Sequence, residues 1–202
     1  MAVRHGAVRI GIFGGTFDPV HVGHLVAAVN VRHELGLERV LMVVANDPWQ
    51  KSGAQVVSPA SARMEMVEAA VEGLDGLEAS ALEIDRGGVT YTVDTISELR
   101  SQYPLAELFL IVGSDVVSEL SSWYRVDEVR DAITLVVVTR PGASVAEQAL
   151  SGWNALTVVI PALEISSTDL RQRAATGRPL DFLVPTGAIH RIRDLALYSV
   201  GR

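Results

Sequence analysis

The sequence predicts an α/β fold built on a doubly wound, mostly parallel sheet, with a small helical part towards the C-terminal end. Continuous, largely apolar runs, typical of strands buried on both faces of a parallel sheet, cover residues 8–13, 40–44, 108–112 and 133–138. Segments with helical spacing separate these runs, at residues 23–35, 61–72 and 93–103. Weaker apolar runs at residues 77–79 and 157–160 predict two further strands. Such alternation places ligands beyond the carboxyl ends of the strands, where the strand order reverses.

Composition limits the classes of protein that this chain can represent. At 202 residues and 49% hydrophobic content, we expect one domain over residues 1–202, with the helical part from about residue 165. The absence of cysteine excludes disulfides and thiolate chemistry. A net charge of −7 argues against nucleic acid as a partner. Without an apolar run of ~18 residues or a secretory signal pattern, we expect a cytoplasmic protein with no membrane partner.

The first apolar run leads into the loop 14–20, which is suited to holding a phosphate. Gly14 and Gly15 can adopt positive φ and have no side chain to obstruct a ligand. Pro19 stiffens the loop, and the next helix is predicted to open near His21. His21 and His24 would then stand in its first turn, where unpaired amides and the helix dipole already attract anions. A lone histidine is more often a cap or surface residue, and His5, His33 and His190 are interpreted in that way.

A second phosphate-binding pattern lies far along the chain, at residues 165–171. Ser166, Ser167 and Thr168 are good N-cap residues, and Leu170-Arg171 would begin the helix that they cap. Such a terminus offers amides, hydroxyls and a guanidinium to an anion. Taken alone, the pattern also fits an ordinary capped surface helix.

Together these two segments resemble the HxGH nucleotidylyltransferase superfamily. The stretch Gly14 to His24 reads GGTFDPVHVGH and is similar to the GGTFDPxHxGH form of the bacterial nicotinate mononucleotide adenylyltransferases. The stretch Ile165 to Arg171 reads ISSTDLR and is similar to that family's ISSTxxR element. The resemblance implies a Rossmann-like nucleotidylyltransferase fold. The implied reaction joins ATP and nicotinate mononucleotide to give nicotinate adenine dinucleotide and pyrophosphate in NAD biosynthesis.

The resemblance also implies roles for individual residues. His21 and His24 are expected to be catalytic, with His24 stabilising the transferred phosphate. ATP contacts are expected from Gly14, Gly15, Thr16, Phe17, Asp18, Gly113, Asp115, Ser166, Ser167, Thr168 and Arg171. Asp18 fits a loop-capping aspartate about as well. No protein metal site is expected, because Mg²⁺ would be bound mainly through the ATP phosphates.

The mononucleotide contacts are expected at other strand ends and helix starts. Lys51 is the only lysine of the chain and matches the lysine of a Pro-His-Lys element in the family, although Trp49-Gln50 replace its first two residues. Trp123 is expected to stack on the pyridine ring, with Thr92 and Tyr124 beside it. Arg140 is expected to meet a phosphate. The alternatives are solvated loop residues for Lys51 and Arg140, and a packing residue for Trp123.

The chemistry itself requires little from the protein. The mononucleotide phosphate is already an anion near pH 7, because its second pKa is ~6, so no general base is needed. Catalysis should consist of positioning and charge stabilisation. Two other functions stay open: a relative acting on another acceptor, such as phosphopantetheine, or transferring a cytidylyl group, and a nucleotide sensor without activity. The sequence also leaves homo-oligomer formation open.

Overall fold

The sheet is the centre of the fold. The computed structural model describes residues 7–47, 57–143 and 147–199. It contains six strands, β1 Arg9–Gly15, β2 Arg39–Val44, β3 Leu77–Ser80, β4 Glu107–Gly113, β5 Thr134–Thr139 and β6 Ala155–Val159. They are all parallel and lie in the order β3-β2-β1-β4-β5-β6. The predicted α/β class is confirmed, and the described sheet is wholly rather than mostly parallel.

Helices cover both faces of this sheet. They are α1 Val22–Leu35, α2 Ala60–Val71, α3 Leu82–Arg86, α4 Thr92–Gln102, α5 Val126–Ala132, α6 Ser167–Ala175 and α7 Thr186–Asp194. Two 3₁₀ helices span Val117–Ser122 and Glu147–Leu150. The sequence predicted α1, α2, α4 and the start of α6, whereas α3, α5 and both 3₁₀ helices were missed. These missed helices have 4 to 7 residues, which is too short for a clear helical period.

The central strands contribute to two apolar clusters because alternate side chains point to opposite faces of the sheet. Val40 and Met42 pack on the face that α1, α2, α6 and α7 cover. Their strand neighbours Leu41 and Val43 pack on the other face, under α4 and α5. Burial on both faces explains why the predicted strands are largely apolar along their length and do not alternate between apolar and polar residues.

The strand order reverses between β1 and β4. From β1 the chain moves outward through β2 to β3, and it then returns to place β4 on the other side of β1. Beyond the carboxyl ends of β1 and β4 the connections diverge, and this opens the crevice in which α/β proteins bind ligands. Within the described ranges, no helix has the length and apolar character needed to cross a membrane.

Candidate functional site

Two adjoining cavities open at the carboxyl edge of the sheet. The first has a volume of about 660 Å³ and lies between the start of α1, the end of β5 and the start of α6. The second, of about 370 Å³, lies between the end of β1 and the start of α4. Both are lined by Phe13, His24, Gly113 and Asp115. Two ligands that fill these cavities would therefore meet beside His24 and Asp115.

The two histidines stand at the N-terminus of α1. His21 is the N-cap residue, and its ring stacks on that of His24 with centroids 3.6 Å apart. The Nδ1 atom of His24 accepts the backbone N–H of His21 at 3.2 Å, so a neutral His24 carries its proton on Nε2. Burial lowers the pKa of His21 to about 4, which keeps its ring uncharged at neutral pH. Both side chains line the first cavity, as the sequence predicted.

The loop that precedes them differs in detail from the expectation. Gly14 and Gly15 continue β1 and do not adopt positive φ, whereas Phe17 has a φ of 48°. A Cβ atom on Gly15 would lie 2.8 Å from the Phe17 ring, which explains the need for glycine there. Gly14, Gly15 and Thr16 line the second cavity rather than the first.

Phe17 and Asp18, expected to contact ATP, line neither cavity. Both are only 3% exposed. The Phe17 ring packs in the apolar cluster and meets the His24 ring edge to face, with centroids 5.0 Å apart. The Asp18 carboxylate is held by protein donors, which makes it a support of the loop. Their side chains are therefore placed to support the loop, and their predicted contacts with ATP stay predictions.

The second motif folds directly onto this loop. Ser166 is the N-cap of α6, and its hydroxyl accepts the Asp169 N–H at 3.2 Å. The Ser167 hydroxyl donates to the Pro19 carbonyl at 3.0 Å. Arg171 is the link between the motifs, because its guanidinium donates to the Asp18 carbonyl at 2.6 Å and to the Thr168 hydroxyl at 3.2 Å. All four predicted residues, Ser166, Ser167, Thr168 and Arg171, line the first cavity.

The predicted mononucleotide contacts divide between the two cavities. Thr92, Trp123 and Tyr124 line the second cavity together. Trp123 follows the 3₁₀ helix Val117–Ser122, and within the described chain its buried Nε1 atom has no hydrogen-bond partner. Arg140 lies apart from them and lines the first cavity. Lys51, with Trp49 and Gln50, lies outside the described residues.

The wall of the second cavity contains one predicted helix start and one residue, Glu83, that the sequence did not indicate. Helix α4 begins there at Thr92, and its N-cap residue Tyr91 makes no side-chain cap hydrogen bond. Glu83 also lines the cavity and is 5% exposed. Its carboxyl accepts the Thr95 hydroxyl, and burial raises its pKa. A single glutamate after a short strand carries no sequence signal for such a position.

Comparison with known sequences assigns the chain to a family. The family model described as cytidylyltransferase-like matches residues 12–173, a range that contains both motifs. The probable nicotinate-nucleotide adenylyltransferase of Saccharopolyspora erythraea is 46% identical over 190 residues, which cover 94% of this chain and 89% of that protein. The protein of the same name from Desulfitobacterium hafniense is 41% identical over 202 residues, with 95% and 96% covered.

Solved structures show the same fold. The nicotinic acid mononucleotide adenylyltransferase of Plasmodium falciparum complexed with NaAD superposes with a TM-score of 0.79 at 18% identity, covering 94% of this chain and 97% of that one. The same enzyme complexed with APC gives a TM-score of 0.77, with 94% and 96% covered. At this identity the likeness concerns the fold alone.

The buried His21 should make stability depend on pH. Its pKa of about 4 in the folded chain lies below the ~6.5 of an exposed imidazole, so between these values the unfolded chain binds more protons. The free energy of unfolding should therefore fall as the pH drops through this window. Between pH 7 and pH 4.5, the free energy of unfolding of the parent should fall by up to ~3 kcal/mol more than that of His21→Asn. Urea unfolding at pH 7, 5.5 and 4.5 measures this difference.

The matched control is His33→Asn. This histidine lies on the same helix but is exposed, so the variant should retain the pH dependence of the parent. Equal losses of stability in the parent and in His21→Asn would show that burial does not hold the His21 ring in its neutral form.

Proposed function

The chain belongs to the nicotinate-nucleotide adenylyltransferases within the cytidylyltransferase-like family, and on this premise we propose that it joins ATP and nicotinate mononucleotide. The products are nicotinate adenine dinucleotide and pyrophosphate, as a step of NAD biosynthesis. One observation carries the proposal: a cavity lined by both phosphate-binding motifs adjoins a cavity lined by Trp123, and His24 lies on the shared wall. Since both substrates are cytoplasmic metabolites, a cytoplasmic enzyme fits this assignment.

The reaction depends on positioning the two substrates against each other more than on acid or base catalysis. An oxygen of the mononucleotide phosphate attacks the α-phosphorus of ATP, and the bond to the β-phosphate oxygen breaks as pyrophosphate leaves. The attacking oxygen is already anionic near pH 7. His24 then donates from Nε2 to the α-phosphate oxygens, where negative charge accumulates. His21 is uncharged, so it orients the His24 ring by stacking without adding repulsion between two imidazolium rings.

The first cavity supplies the groups that hold the triphosphate. The N-terminus of α6 lies on its wall, and helix N-termini bind phosphate through their first amides. The Ser167 hydroxyl is already engaged with Pro19, so this residue acts through its amide. Thr168 and Arg171 offer side-chain donors to the leaving pyrophosphate. Arg140 lines the same cavity, so within this proposal it faces ATP rather than the mononucleotide.

The site also fits a magnesium ion that is carried by the substrate. Among the described residues, no group of three or more histidine or acidic side chains is arranged to hold a metal. Asp115 nevertheless places one carboxylate on the wall shared by the two cavities. One carboxylate together with substrate phosphates is a usual environment for Mg²⁺. When bound, the ion neutralises charge on the phosphates.

The second cavity fits the pyridine mononucleotide. The indole of Trp123 offers an aromatic face for the ring, and the N-terminus of α4 offers amides to a carboxylate. A helix N-terminus favours an anionic substituent over a neutral amide, because the dipole adds to the hydrogen bonds. This supports nicotinate rather than nicotinamide as the preferred substrate. Lys51 stays a predicted contact to the mononucleotide phosphate.

The assignment is tested first by choice of acceptor. Purified protein with Mg²⁺ and ATP should release pyrophosphate rapidly with nicotinate mononucleotide, and far more slowly with nicotinamide mononucleotide or phosphopantetheine. CTP in place of ATP should give little release. Fast release with phosphopantetheine or CTP alone would assign a different reaction within the family. Tight ATP binding without any release would instead identify a sensor.

The His24→Ala variant tests the proposed stabilisation of the transferred phosphate. Loss of one preorganised donor at a developing charge typically costs ~10²-fold or more in kcat. We expect a loss of that size with ATP binding largely retained. The control is His33→Ala, since His33 lies exposed on the same helix. Turnover of His24→Ala within about threefold of the parent would rule out the role.

The Trp123→Ala variant tests the assignment of the second cavity. Stacking of a base on an aromatic side chain contributes ~1–3 kcal/mol, so the KM of the mononucleotide should rise about tenfold or more. The KM of ATP should stay close to that of the parent. Trp153→Ala is the matched control, because Trp153 packs against the same apolar cluster but lines neither cavity. An equal rise of both KM values in Trp123→Ala would contradict stacking.

A further inference from the structure

The loop between β1 and α1 is held by side chains rather than by regular backbone pairing. Three of its carbonyls, those of Thr16, Asp18 and Pro19, accept hydrogen bonds from side chains on α2 and α6. The donor on α2 is Arg63, and the donors on α6 are Ser167 and Arg171. Because this loop ends at the N-cap histidine of α1, whatever fixes the loop also fixes the catalytic imidazoles.

The Asp18 side chain is the buried anchor of this loop. Its Oδ1 atom accepts the hydroxyl of Tyr198 at 2.6 Å, and its Oδ2 atom accepts the Ser58 N–H at 3.1 Å. Tyr198 lies 180 residues further along the chain, in the turn that follows α7. It has a φ of 61°, a conformation that is uncommon for a bulky residue and needs support from surrounding contacts. The segment after the last helix therefore reaches back to the first loop.

Arg63 on α2 is the second buried support of the loop. This guanidinium is 1% exposed and donates from Nη1 to the Thr16 carbonyl at 2.8 Å, from Nη2 to the Asn46 carbonyl at 3.0 Å and from Nε to the Ser58 carbonyl at 2.9 Å. It thus joins the loop after β1 to the segment that follows β2 and to Ser58, two residues before α2. A buried charge of this kind is tolerated only when its donors are satisfied and an opposite charge lies near. The Asp18 carboxylate supplies that charge.

We propose that Tyr198 and Arg63 are positioning residues for the adenylyl transfer: they hold the loop through Asp18 and the Thr16 carbonyl, and so set His21 and His24 against the transferred phosphate. This inference rests on the proposed function. Neither residue lines either cavity, so both act through the loop rather than on a substrate. The loop is the common support of both cavities, since Thr16 lines the second and Arg171, which binds the Asp18 carbonyl, lines the first.

The protonation of these groups suits a fixed support. Burial, together with the hydrogen bond to Asp18, raises the pKa of Tyr198 well above its ordinary value, so the hydroxyl remains a donor throughout the neutral range. Arg63 keeps its charge under all ordinary conditions. The support should therefore add no pH dependence of its own to kcat between pH 6 and 9, and a change in the pH profile would indicate a different role.

The test uses Tyr198→Phe, which removes one hydroxyl and keeps the ring that packs against the core. The expected result is a decrease in kcat of about tenfold or more, because a shift of ~1 Å in catalytic groups has large effects on rate. The KM of nicotinate mononucleotide should stay within about threefold, since Trp123 and the start of α4, which would bind the pyridine ring and its carboxylate, lie outside this loop. Arg63→Lys, which keeps the charge but loses the planar fork, should show the same separation of kcat from KM.

The matched control is Tyr103→Phe. Tyr103 is partly buried on the opposite face of the sheet, so this variant should turn over like the parent. Thermal unfolding confirms that each variant is folded at the assay temperature. The inference is overturned if folded Tyr198→Phe keeps kcat within about twofold, or if kcat and both KM values change together.

A second readout is independent of turnover. The imidazole resonances of His21 and His24 in NMR spectra should shift in Tyr198→Phe and stay in place in Tyr103→Phe. Unshifted resonances in Tyr198→Phe would overturn the inference. The two failures are distinguishable. If the resonances shift as expected but the parent protein releases no pyrophosphate with any acceptor, the proposed function is overturned and the positioning of the histidines is not.

Discussion

β1 and β4 lie side by side, and the chain leaves their carboxyl ends in opposite directions, towards β2 and towards β5. In the part of the chain that the structure describes, the space between these two ends stays open, and the site depends on this constraint. The glycines at the end of β1 and Gly113 at the end of β4 form its floor, while α1 and α4 begin on its walls. A parallel sheet also aligns several helix N-termini at one edge, so amides converge there without charged side chains.

This arrangement explains how a chain with a net charge of −7 can be suited to two polyanionic substrates. The attraction comes from the starts of α1, α4 and α6 and from the guanidinium of Arg171. These groups act over short distances and stay fixed by the fold. Burial keeps His21 uncharged, so the stacked pair of imidazoles adds a directed donor without placing two positive charges side by side. Preorganised dipoles of this kind stabilise a transition state without reorganising.

The sequence predicted the features whose causes are local. Apolar runs located the strands, and the N-cap pattern at Ser166 located α6, because burial and capping are written in neighbouring residues. Helix α5 was missed because its N-cap is Arg125 in the left-handed conformation, which gives no recognisable start signal. The supporting roles of Arg63 and Tyr198 were not predicted, because they depend on contacts between residues that are far apart in the sequence. Arg63 did leave one trace, since it falls on the apolar face of the predicted helix 61–72, where a charge requires a buried partner.

The first motif contains residues that line the cavities and residues that support the loop, and its sequence does not distinguish the two groups. Gly14, Thr16 and His24 line the cavities, whereas Phe17 and Asp18 face inward and line neither. The inward-facing residues are also tightly constrained. The Phe17 ring fills the space that a Cβ atom on Gly15 would need, and the Asp18 carboxylate is buried among its donors. A buried carboxylate that lost those donors would be costly to retain, so the loop, the start of α2 and the turn after α7 must form together. The phosphate-binding loop is therefore a product of the whole fold, and it is held both by Ser167 and Arg171 on the cavity wall and by Arg63 and Tyr198, which line neither cavity.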